Sequence, residues 1–171
     1  MRTPEAVHFY DTGRQQKWAI PILYQDESML SIDKPSGLPV IPERWHPSGR
    51  LEDWQAGHHE VRVLERFHGY TAVETRPATG RQHQIRVHLQ AIGHPLVVDS
   101  LHGRNEAFYL SSLKTRMRFT NDEEERTLIS RLSLHASSLR FRHPAPGEST
   151  IITATLPKDL LALLKALREY A

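Results

Sequence analysis

Alternation of apolar and polar residues is clearest from Glu60 onward, where EVRVLERF runs at period two, His68-Gly69 interrupts it, and YTAVETRP takes it up again. That pattern predicts a β-hairpin closed by a two-residue turn. Earlier in the chain, IPILYQDESMLSIDK over residues 20–34 predicts two short strands about a polar turn at Gln25–Ser28, closed off by Pro35-Ser36-Gly37. The period changes after Thr79-Gly80. Ile85, Leu89 and Ile92 fall on one helical stripe, and Gly93 stands where a helix C-terminal glycine belongs. Further on, the spacing predicts a helix over Asn105–Lys114, then strands over Leu132–Arg142 and Ser149–Thr155 joined across His143–Gly147. A closing amphipathic helix is expected over Leu156–Tyr170, with Pro157 in its first turn.

Strand runs dominate and helices punctuate them without a regular βαβ rhythm, which predicts an α+β fold rather than a doubly wound sheet. With 171 residues and no Pro-, Gly- or Ser-rich linker, a single domain over 1–171 is expected, the first 17 or so residues forming an N-terminal tail. The hydrophobic share of 39% and charged share of 25% are those of a folded globular chain. The absence of cysteine excludes disulfides, thiolate nucleophiles and cysteine-based zinc or iron–sulfur centres. MRTPEAVHFYDTGRQQKW holds no apolar signal core, and LLALLKAL at 160–167 is too short to span a bilayer and carries a lysine, so a cytoplasmic location is the default expectation.

Net charge is only +2, from 22 Lys+Arg against 20 Asp+Glu, so bulk charge does not announce a polyanion partner. Distribution changes that picture. Basic residues gather at Arg81–Arg86, Lys114–Arg118 and Arg140–His143, while Asp122–Glu125 forms an acidic block that cancels them arithmetically. Eleven histidines add positive charge as pH falls toward 6. They do not spell a metal site: His83 and His88 are five apart and His58-His59 are adjacent, and neither spacing makes a helical chelate. No G-x-S-x-G elbow is present either. What remains is Arg81, His83, Gln84, Arg86 and His88 at a predicted helix start, where free N–H groups and the helix dipole favour a phosphate or carboxylate. The plainer reading is a solvated face with Arg81 or Arg86 paired to nearby glutamates.

Three blocks in order, LYQDESMLSIDKPSGL, RPATGRQHQIRVHLQAIGHPLVVDSLHG and RLSLHASSLRFRHP, resemble the RluA-type family of RNA pseudouridine synthases. The resemblance implies an α+β domain on a mixed, largely antiparallel sheet with flanking helices and an RNA-binding cleft. It implies that Arg81 of T-G-R pairs with a catalytic aspartate, and that Lys34 of D-K-P-S-G lies near the same cleft. Lys34, His83, Gln84, Arg86, His88, Arg140 and Arg142 are the expected RNA contacts. The target uridine leaves its stack to enter the pocket, and the reaction calls for neither metal nor cofactor. The expected partner is structured RNA, ribosomal or transfer.

The chain departs from the family between the first two blocks. Family members carry H-R-L-D there, whose aspartate is the nucleophile, then T-S-G and later a tyrosine that packs on the base. This chain has PVIPERWHPSGRLEDWQAGHHE, with Gly49-Arg50-Leu51-Glu52-Asp53 as the nearest match and no tyrosine between Tyr24 and Tyr70. Two readings stay open: Asp53 or Glu52 is a displaced nucleophile, or the chain is a pseudoenzyme that keeps the RNA-binding surface. A non-catalytic protein-interaction module reusing the scaffold is the alternative from another class. Loss of the segment leaves sheet edges that a remodelled fold or a homo-oligomer would have to cover. Without the family aspartate, the partners open to Arg81 are Asp33, Asp53, Asp99 or an RNA phosphate.

Overall fold

The computed structural model describes residues 6–11, 15–38, 59–113, 125 and 127–171. Among them nine strands and two α-helices, numbered here in chain order, make an α+β fold in which every strand pairing is antiparallel. The chain groups into two units, one from residues 1–43 and 135–156 and the other from residues 44–134 and 157–171.

In the first unit, β1 (Ala6–Asp11) pairs with β2 (Gln16–Gln25), which pairs in turn with β3 (Leu30–Ile32). β1 lies in the stretch read from sequence as a tail; its register sets Val7 opposite the buried Ile20. The β2–β3 turn is built by Asp26, whose Oδ1 accepts the N–H groups of Ser28 (2.7 Å) and Met29 (2.9 Å). The Ser28 bond is the main reason the Asp26 carboxyl is held down at about 2; partial burial opposes it, and donors from Tyr24, Met29 and His143 add to it. β8 (Ser138–Arg142) and β9 (Ser149–Thr153) form the hairpin predicted across His143–Gly147, with Gly147 at φ +71°. His143 is buried in that turn. Its Nδ1 accepts the Ala145 N–H (3.2 Å), so its Nε2 is the nitrogen that donates to Asp26 Oδ2 (2.7 Å), clipping two turns together.

In the second unit, β4 (His59–Phe67) and β5 (Tyr70–Pro77) form the hairpin expected from their alternation, with Gly69 at φ +80° in the turn. Helix α1 (Gln84–Ala91) follows, then β6 (Phe108–Tyr109), a 3₁₀ turn (Leu110–Ser112), β7 (Thr127–Ile129) and the closing helix α2 (Lys158–Tyr170). The core joins Val98, Phe108, Leu113, Leu128 and Ile129 to Leu163, Ala166 and Leu167 of α2. Arg131 donates from Nε and Nη2 to both oxygens of Asp159 (2.5 and 2.8 Å), fixing the first turn of α2.

Three expectations are corrected. The helix expected over Asn105–Lys114 is instead β6 and a 3₁₀ turn as far as Leu113, Lys114 lying outside the described residues. There, Phe108 reaches the core by pairing with Ile129, and Asn105 spends its carbonyl on the Asp99 N–H and its carboxamide on the Val97 carbonyl. The strand expected over Leu132–Arg142 begins only at Ser138, because the backbone before it is already engaged. Ser133 exchanges bonds with Val98, and Arg131 donates to the carbonyls of Leu132 and Leu134. Ile92 leaves the predicted apolar stripe and is 65% exposed, since α1 has ended at Ala91. Gly93, at φ +81°, donates to Gln90 and His94 donates to Leu89, the paired bonds of a glycine-terminated helix.

Candidate functional site

Hairpin β4–β5 delivers the chain to Thr79-Gly80, and after three intervening residues α1 begins at Gln84. A cleft of about 290 Å³ opens at this junction. Its polar lining comes from Thr79, Arg81, His83, Gln84 and Arg86, and its apolar lining from Pro77, Ile85, Leu132 and Leu134. Four of the residues singled out in the sequence, Arg81, His83, Gln84 and Arg86, therefore share one wall.

Their roles within the wall differ. Arg86 and Asp99 form a bidentate pair at 2.8 and 2.6 Å, their side chains 11% and 1% exposed. Burial pushes the Asp99 carboxyl up, but the donors from Arg86 and from the backbone of His102 and Leu101 outweigh it and hold it at about 2. Asp99 is among the candidate partners for Arg81; the arginine it holds is Arg86, five positions further on. The Asp99 carboxylate also orders the turn after it by accepting the N–H groups of Leu101 (3.0 Å) and His102 (2.9 Å). Gly103 closes that turn, where an added Cβ would sit 2.7 Å from the Asp99 carbonyl oxygen.

His83 precedes α1 in a left-handed conformation (φ 54°) that a residue with a Cβ adopts only when its surroundings hold it there. Its Nδ1 lies 3.0 Å from Nε2 of His102, with the rings edge to face. His102 was missed in the sequence, since nothing local marks a contact across 19 positions. Gln84 is 3% exposed, and its Oε1 accepts both the Thr79 hydroxyl (2.7 Å) and the Arg81 N–H (3.3 Å). His88 lies further along α1, outside the cleft lining and close to the helix C-terminus.

Lys34, Arg140 and Arg142 belong to the other unit. Lys34 donates to the carbonyls of Pro35 (3.1 Å) and Leu38 (2.5 Å), so its ammonium secures its own loop. Arg140 and Arg142 stand two apart on the exposed face of β8, with Ile151 and Ser149 opposite them on β9. Asp53, Glu52 and the Lys114–Arg118 cluster lie outside the described residues. Among the described residues no group of three or more metal-ligating side chains is present, and no helix is long and apolar enough to cross a membrane.

The site is thus a guanidinium-bearing cleft at a strand-to-helix junction in an α+β unit, lined by polar and apolar side chains together. No protein-family model matches the chain. Among curated proteins, it is 38% identical over 135 residues to the ribosomal large subunit pseudouridine synthase D of Xanthomonas campestris pv. campestris, covering 72% of this chain and 37% of that protein. It is 41% identical over 135 residues to the synthase D of Xylella fastidiosa, with the same shares of 72% and 37%. The synthase C of Pasteurella multocida is 41% identical over 108 residues, covering 63% of this chain and 29% of that protein. The matched part thus spans about a third of each relative's length. The chain belongs to the RluA-type pseudouridine synthase family, in a form whose sequence carries no H-R-L-D.

Proposed function

We propose that this chain binds structured RNA, ribosomal or transfer, through the cleft at the start of α1, with Arg81 as its principal cation. The observation that carries the reading is the placement of Arg81 on the cleft wall in a chain whose relatives are named as ribosomal large subunit pseudouridine synthases. Arg86 is committed to Asp99, and Arg81 is the other guanidinium on the cleft lining. A lining that mixes Ile85, Leu132 and Leu134 with polar groups suits a flipped base whose faces are apolar and whose edge carries carbonyls. Uridine isomerisation is the finer reading. It requires an ionised carboxylate beside Arg81, the role we assign to Asp53, with no metal or cofactor. A cytoplasmic location accords with an RNA substrate.

Titration with salt tests the reading. RNA affinity should fall steeply and linearly on a logarithmic scale between about 50 and 200 mM salt, and Arg81→Ala should make that slope shallower. Salt-independent capture of a protein partner with no RNA binding would instead establish an interaction module. Asp53→Asn should abolish pseudouridine formation while leaving RNA affinity in place. Unchanged isomerisation would remove Asp53 from the mechanism.

A further inference from the structure

Gln84 poses a physical puzzle in the cleft wall. It is 3% exposed, yet its Nε2 finds no acceptor among the described residues, and a buried donor without an acceptor is costly. Leucine or methionine would fill the same space without that cost. The compensation lies at the other end of the carboxamide, where Oε1 accepts the Thr79 hydroxyl at 2.7 Å and the Arg81 N–H at 3.3 Å. The Gln84 N–H in turn donates to the Arg81 carbonyl at 3.3 Å. Arg81 is thereby held from both of its backbone groups by one residue three positions ahead, the reciprocal arrangement by which a glutamine at a helix start organises the residues before it.

We propose that Gln84 is the positioning residue of the cleft: it sets the Thr79–Arg81 turn and so the place from which the Arg81 guanidinium meets its guest. Gln84 was expected to contact RNA. Here it acts through Arg81 instead, an inference that rests on Arg81 being the cleft's working group. Its buried amide nitrogen is tolerated because the oxygen holds the turn.

The test compares the full chain with Gln84→Met, Gln84→Glu, Thr79→Val, Arg81→Ala and the Arg81→Ala/Gln84→Met double variant. Two quantities are read: hydrogen exchange of the Arg81 amide by NMR, and affinity for a uridine-containing RNA oligonucleotide. Gln84→Met keeps the volume and removes both the acceptor and the unpaired donor, so the folded protein should persist while Arg81 amide exchange speeds up about tenfold or more. Affinity should fall by about the same factor, and the double variant should bind no worse than Arg81→Ala alone. Gln84→Glu restores the acceptor and should restore protection of the Arg81 amide. Thr79→Val, a milder change at an exposed residue, should move both quantities in the same direction as Gln84→Met. Wild-type exchange in both Gln84→Met and Thr79→Val would overturn the proposal, as would affinity losses that simply add in the double variant. If no form of the protein binds the oligonucleotide, the RNA reading fails, while Arg81 exchange still decides whether Gln84 positions the turn.

Discussion

Asp99 shows how one carboxylate can organise a wall of the cleft. It accepts two donors from Arg86 and two backbone N–H groups from the turn that follows, three of the four on Oδ1 and one on Oδ2. Removing one member of such a buried pair strands the other charge, and Asp99→Asn should cost about 3 kcal/mol in chemical denaturation. The sign of the pH effect follows from the lowered carboxyl. Its stabilisation is complete above the ordinary carboxylate range near 4 and disappears as pH falls toward about 2. Stability of the wild type should therefore drop across that window, and Asp99→Asn should flatten that part of the curve; an unchanged profile would mean that Asp99 is not ionised in the fold. The sequence pointed to Arg81, His83, Gln84 and Arg86 as a group but not to who holds whom, because adjacent basic residues in a helix-like run are interchangeable until a carboxylate 13 positions away selects one of them.

At the level of elements, the two hairpins β4–β5 and β8–β9 were legible because a mostly period-two pattern and a glycine-bearing turn agree, the exception being Leu64, where β4 shifts register between Val63 and Glu65. Helix α1 was legible for the same kind of reason, with helical spacing ended by Gly93. Gly93 at φ +81° has open space around a would-be Cβ, so Gly93→Ala meets no clash and carries only the backbone penalty. It should lower stability by about 1 kcal/mol in thermal unfolding and leave RNA affinity at the wild-type value. A loss of affinity would mean that the helix end communicates with the cleft. Segments with mixed signals were misread. Within residues 105–113, which have acceptable helix formers, Phe108 and Tyr109 pair with β7, and residues 132–137 alternate like a strand but have backbone groups engaged by Val98 and Arg131.

For the whole molecule, basic groups are divided between the two units, with the cleft arginine in one and the β8 arginines in the other. Residues two apart on a strand face lie about 6.6 Å from each other, close to the reach between neighbouring backbone phosphates. Arg140 and Arg142 should then add to RNA affinity without sequence preference. The Arg140→Ala/Arg142→Ala double variant should reduce the logarithmic salt slope by about 1.4 to 1.8, that is 0.7 to 0.9 for each phosphate released, with the Arg81 contribution unchanged. An unaltered slope would place RNA away from β8.

The order of three motif blocks carried the family resemblance, and local rules determined the α+β class, the hairpin turns and the placing of α1, since alternation, helical spacing and glycine positions act over a few residues and need no knowledge of distant neighbours. Only the tertiary structure decided that Asp99 takes Arg86, that His102 meets His83, and that Leu132 and Leu134 join Ile85 in lining the cleft. Each of these depends on bringing a donor, an acceptor or an apolar wall from elsewhere in the chain. Such choices are made by burial and hydrogen-bond satisfaction in three dimensions rather than by spacing along one.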